Sequence, residues 1–114
     1  MKKLLYILLF CTLFNSNFAN SANANSIKCS KQAIEQARKL LDFHVGGDDR
    51  IEINPKVREL PSFKNPANPR RILQVLEVWG YIYKGSYRMR LIYYNSANIN
   101  CLLMGQEILE NANL

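Results

Sequence analysis

Between residues 30 and 45 the apolar positions recur at three- and four-residue steps. Ala33, Ile34, Ala37, Leu40, Leu41, His44 and Val45 fall on one face, and Lys31, Glu35, Arg38, Lys39 and Asp42 take the others. That spacing predicts an amphipathic helix that buries one stripe against something flat. Ser30 is the expected N-cap, and Gly46-Gly47 supply a left-handed stop. Beyond the glycines the period falls to two. Ile51, Ile53, Val57 and Leu60 predict one or two short strands, interrupted near Asn54-Pro55.

Pro61, Pro66 and Pro69 punctuate a polar stretch, so residues 62–70 read as an extended loop. Residues 71–83 are β-branched and aromatic, and 87–94 resemble them. Lys84-Gly85 between them is the expected two-residue hairpin turn. Asn95-Ser96-Ala97 reads as another turn, residues 98–104 as a third strand, and 105–110 as its continuation or a terminal turn. The expected fold is α+β: one N-terminal amphipathic helix on an antiparallel β-meander of 3-5 strands, with the helix covering one sheet face.

A turn at Lys84-Gly85 sets a register in which Tyr83 faces Ser86. Ile82 then opposes Tyr87, Gly80 opposes Met89, Val78 opposes Leu91 and Leu76 opposes Tyr93, all toward the helix. On the reverse face Tyr81 opposes Arg88, Trp79 opposes Arg90, Glu77 opposes Ile92 and Val75 opposes Tyr94. In the last strand Ile99, Cys101 and Leu103 are expected on one side, with Cys101 turned to the helix.

The front of the chain has a different pattern. Lys2 and Lys3 precede an apolar run over residues 4–14, and a polar stretch then ends in Ala22-Asn23-Ala24. This is the three-part pattern of a secretory signal peptide, and the run is too short to span a bilayer. Residues 1–24 are therefore expected to be removed, leaving 25–114 as a single domain in a periplasmic or secreted location. A lipid-bearing Cys11 is rejected, because Phe10 stands where a small residue is needed. Cleavage removes Cys11 and leaves Cys29 and Cys101 as an even pair in an oxidising compartment, which predicts one disulfide. So long a clamp stabilises by about 4 kcal/mol through loop-closure entropy. No C-x-x-C spacing supports a redox-active pair.

Composition narrows the chemistry. The 114 residues are 48% apolar, which argues against a disordered tail. Three Cys are too few for a four-ligand zinc site. One His and scattered carboxylates leave few ways to build a catalytic centre, so a non-enzymatic protein is expected, with no cofactor and no metal. His44 reads as a core or capping histidine near the helix C-terminus. Asp48-Asp49 lacks the alternating acids and terminal Glu of a calcium loop and reads as a solvated turn.

The formal net charge is +6, and Lys56, Arg58, Lys64, Arg70 and Arg71 form a basic margin around the proline-rich stretch. Nucleic acid is disfavoured by the secretory signal. An acidic protein or an anionic envelope surface suits the charge better. The solvent face of the hairpin is expected to show Trp79, Tyr81, Tyr83 and Tyr94 beside Arg88 and Arg90. Rings next to guanidinium groups gain cation–π attraction, and Trp, Tyr and Arg dominate binding hot spots. This face is the candidate binding site, for a protein or, alternatively, for a small ligand or glycan. Cover by a second copy in a homodimer is the other expectation weighed, along with plain cross-strand packing.

Lys28-Cys29-Ser30 leads into Ala33-Ile34-Glu35-Gln36-Ala37, and Cys101 is followed by Gly105 and Glu107. With the signal segment and the meander, this layout resembles the small periplasmic YebF/colicin M immunity family. The resemblance implies a non-enzymatic immunity or inhibitor-type protein whose surface docks a protein partner, such as a toxin or an envelope hydrolase. It carries no binding motif that matches position by position.

Overall fold

The apolar stripe of residues 30–45 coils as its spacing requires. The computed structural model describes residues 27–111, and α1 spans Ser30–Val45. The expected signal peptide, residues 1–24, lies outside the described residues. The helix start differs in detail from the sequence expectation. Cys29, not Ser30, is the N-cap, with a left-handed backbone (φ 69°) and no side-chain capping bond. Its carbonyl accepts the Ala33 N–H at 2.9 Å. At the other end Gly46 and Gly47 take φ of 79° and 95°, and both N–H groups donate to the Asp42 carbonyl at 3.0 Å. The glycines are needed there, because few side chains tolerate that conformation.

Five antiparallel strands follow: β1 (Ile51–Ile53), β2 (Arg58–Asn65), β3 (Asn68–Ile82), β4 (Gly85–Tyr94) and β5 (Leu102–Asn111). The long β3 is the spine. It pairs with β4 on one side and with β1 and β2 on the other, and β5 lies outside β4. The architecture is α+β, one helix on an antiparallel sheet. Cys29 and Cys101 form the disulfide across a separation of 72 residues, with Cα atoms 5.6 Å apart, a spacing typical of bridged cysteines. No helix among the described residues is long and apolar enough to cross a membrane.

Strand alternation builds the core. Leu76, Val78 and Ile82 of β3 and Met89, Leu91 and Tyr93 of β4 meet Ala33, Ala37 and Leu41 of the helix. The two alanines allow close approach, and Gly80 completes it. A Cβ at Gly80 would stand 2.8 Å from Leu41 Cδ2, 3.0 Å from Met89 Cε and 3.2 Å from Ile53 Cδ1. Beside the disulfide, a polar chain ties three segments together. The Cys101 N–H donates to Asn95 Oδ1 at 2.7 Å, Asn95 Nδ2 donates to Gln74 Oε1 at 2.8 Å, and Gln74 Nε2 donates to the Lys28 carbonyl at 2.9 Å.

Three local expectations are corrected. The hairpin turn is Tyr83-Lys84, closed by the pair Ile82 and Gly85, with Tyr83 left-handed at φ 55°. The register is therefore displaced by two residues: Tyr81 opposes Ser86, Trp79 opposes Arg88, Glu77 opposes Arg90 and Val75 opposes Ile92. A displacement of two preserves the strand period, so every residue keeps the face expected of it. The proline-rich stretch is a hairpin rather than a loop. Pro61 lies in the irregularity between Leu60 and Phe63, Pro66 lies in the turn closed by Asn65 and Asn68, and β2 needs no partner on its outer side. The last strand begins at Leu102, because the Ser96–Ile99 turn and a left-handed Cys101 (φ 57°) occupy residues expected to be extended. Ile99 and Cys101 thus precede the strand.

Candidate functional site

The same alternation that seats Val78 and Met89 under the helix turns the intervening side chains to the opposite face. There, cross-strand neighbours align in rungs. Trp79 opposes Arg88, which opposes Leu109. The next rung is Arg58, Glu77, Arg90 and Glu107, one residue from each of four strands with alternating charge. Beyond it come Leu60, Val75, Ile92 and Gly105. The ionic rung separates a ring-and-guanidinium patch near the β3–β4 turn from an apolar patch toward β2.

Glu77 is the hub. It is only 4% exposed, and three guanidinium groups surround it: Arg58 at 3.6 Å, Arg88 at 3.8 Å and Arg90 at 3.9 Å. Arg90 also reaches Glu107 at 3.6 Å. These separations are ionic rather than hydrogen-bonded, and Arg90 Nε is buried without a hydrogen-bond partner. An isolated buried carboxylate would be costly, and the surrounding cations offset that cost. In turn, Glu77 draws Arg88 and Arg90 over the sheet.

On the far side of this rung, Leu73 and Val75 are buried although they point away from α1. Leu60, Pro61, Phe63, Val75 and Ile92 line a shallow cleft of about 500 Å³, with Arg90 and Glu107 on its rim. A Cβ on Gly105 would meet Ile92 Cδ1 at 3.5 Å, so the glycine leaves that floor open.

The sequence-derived site residues divide into groups. Trp79, Tyr81, Arg88 and Arg90 share the outer face and are partly exposed. Tyr94 lies on this face as well, with the Arg71 guanidinium 4.7 Å from its ring centroid. Tyr83 stands apart at the turn, 76% exposed, flanked by Arg50 at 5.9 Å and Lys84 at 5.4 Å. Arg88 and Arg90, expected against rings, are turned to Glu77 instead. The sequence reading missed the hub and the cleft. Glu77 at an outward position between two arginine-bearing strands was the available signal. The cleft had none, because the part of β2 beyond Leu60, Phe63 included, reads as loop from its prolines.

The remaining candidates resolve simply. His44 is exposed on the rim of the helix and meets Tyr87 edge-on at 5.9 Å. Asp48 accepts the Arg50 backbone N–H at 2.9 Å and its guanidinium at 2.8 and 3.0 Å. Those bonds hold its carboxyl down at about 2. Among the described residues no group of His, Cys, Asp or Glu is arranged to hold a metal ion. Burial, with the Glu35 charge adding to it, raises the Tyr93 phenol. No protein-family model, curated protein or solved structure matches this chain.

Proposed function

We infer that this chain is a non-enzymatic binding protein that docks a protein partner through the outer face of its sheet. The observation carrying this reading is a face that no other element among the described residues covers. It combines Trp79, Tyr81, Arg88 and Arg90 with an adjoining apolar cleft. Aromatic and arginine anchors beside a desolvated pocket are what protein interfaces concentrate. Glu77 holds the arginines in place before the partner arrives, which lowers the ordering cost of docking. The disulfide supports a periplasmic or secreted setting. The signal-like first 24 residues support it as well, and with them the immunity or inhibitor role implied by the layout of the YebF/colicin M immunity family.

Affinity capture from an envelope extract tests the reading. The wild-type chain should retain a partner that the Trp79→Ala/Arg88→Ala double variant loses while keeping its fold. Equal capture by both would reject the site. A second reading is favoured by Trp79 and Tyr81 standing at successive outward positions of β3, a platform that also suits sugar rings. Peptidoglycan fragments that shift the NMR signals of these two residues would support that reading over the protein partner.

A further inference from the structure

The basic margin lies on a part of the fold that meets the docking face only at its cleft, through Pro61 and Phe63. β3 pairs with β4 from Gln74 onward, so among the described residues its first positions have only β2 beside them. Residues 61–72 form a two-stranded ribbon that extends past the sheet. Its tip is ordered by its own side chains: Asn65 Oδ1 accepts the Ala67 N–H at 2.9 Å and Asn68 Oδ1 accepts the Arg70 N–H at 3.2 Å.

The ribbon is cationic and incompletely buried. Residues 60–76 contain Lys64, Arg70 and Arg71 and no carboxylate. Among the described residues none of the three has an ion-pair partner. Two large apolar side chains are displayed as well, Phe63 at 42% and Ile72 at 57% exposure. Phe63 shares the face of Leu73, opposite in the ladder, while Ile72 shares the other face with Lys64.

We propose that the β2–β3 ribbon is a peripheral docking element for an anionic lipid surface. Cations near such a surface are attracted to its headgroups, and apolar side chains among them enter the interfacial layer. The placement favours lipid over an acidic protein. A stable protein interface needs a broad continuous patch, whereas this ribbon is two strands wide with its apolar groups on opposite sides. A fluid interface can surround both sides at once. Phe63 also lines the docking cleft, but Lys64, Arg70, Arg71 and Ile72 do not, and neither Trp79 nor the Glu77 cluster takes part.

Sedimentation of the full chain with phosphatidylcholine vesicles, with and without phosphatidylglycerol, tests it. Binding should require phosphatidylglycerol and fall as salt is raised. Lys64→Gln/Arg70→Gln/Arg71→Gln should weaken it by roughly 100-fold, from about 1 kcal/mol per cation. Ile72→Ser, which leaves the cleft untouched, should weaken it with all cations retained. Residues 1–26 are common to every variant, so differences between variants report the ribbon alone. Trp79→Ala should bind vesicles like wild type, which separates failure here from failure of the docking site. Equal vesicle binding by wild type and the cation triple variant would overturn the proposal. So would ribbon-dependent retention on soluble polyglutamate with no vesicle binding, which would assign the ribbon to an acidic protein.

Discussion

Replacing Glu77 with Gln keeps the side-chain shape and removes the one charge on which three guanidinium groups converge. Breaking a buried ion pair costs about 3–5 kcal/mol, and an exposed one about 0.2–1 kcal/mol. The case here lies between these limits. The Glu77 side chain is 5% exposed, but those of Arg58, Arg88 and Arg90 are 73%, 33% and 36% exposed, at 3.6–3.9 Å. Water screens the cations and they are free to move apart once the carboxylate is neutral. The expected loss is about 2 kcal/mol, roughly 10 °C in Tm for a domain of this size. Urea unfolding is the assay, and the midpoint should fall with an unchanged slope. Double-mutant cycles should give stronger coupling of Glu77 to Arg90 than to the exposed Arg58. A loss below about 0.5 kcal/mol would refute the reasoning and make the cluster an ordinary surface network.

Gly80→Ala should destabilise by about 1–3 kcal/mol, because the new methyl overlaps Leu41 beneath the helix; urea unfolding at wild-type stability would contradict that close approach. The Cys29→Ala/Cys101→Ala double variant should lose about 4 kcal/mol, and a loss under about 1 kcal/mol would show that the Asn95–Gln74 chain holds the helix entry unaided. Asp48 should titrate by NMR near 2, and Arg50→Ala should return it toward 3.8. Because its folded value is lowered, its contribution to stability is present above 3.8 and is lost as pH falls through about 2; an unmoved midpoint in the Arg50 variant would contradict the assignment.

The helix was legible because a sixteen-residue stripe leaves little room for another period, and the disulfide because only two cysteines follow the signal-like segment. The outward residues of the β3–β4 hairpin were legible despite a misplaced turn. Glycine at position 85 suggested the left-handed site, but Tyr83 takes it, and the resulting displacement of two leaves both faces intact. A displacement of one would have placed Trp79 under the helix. Local rules failed where tertiary pairing overrides them. Three prolines signal a loop, yet Pro61 fits a bulge of β2, Pro66 the turn, and Pro69 the start of β3 before its pairing with β4 begins. A strand at Val57 and Leu60 was legible but its pairing with β3 was not, and with that pairing went the closure of the ionic rung by Arg58. The cation–ring pairs expected of Arg88 and Arg90 gave way to Glu77, since a carboxylate attracts a guanidinium more strongly than a ring quadrupole does.

Trp79 is the single tryptophan of the chain and stands within the outer face, so its fluorescence reports that surface without any label. Acrylamide quenching of Trp79, followed as the captured partner is titrated in, is the most direct measurement of the claim that this face docks. A blue-shifted emission and strong protection from quenching are expected at saturation. Saturated binding that leaves both emission and quenching unchanged would place the partner elsewhere on the molecule.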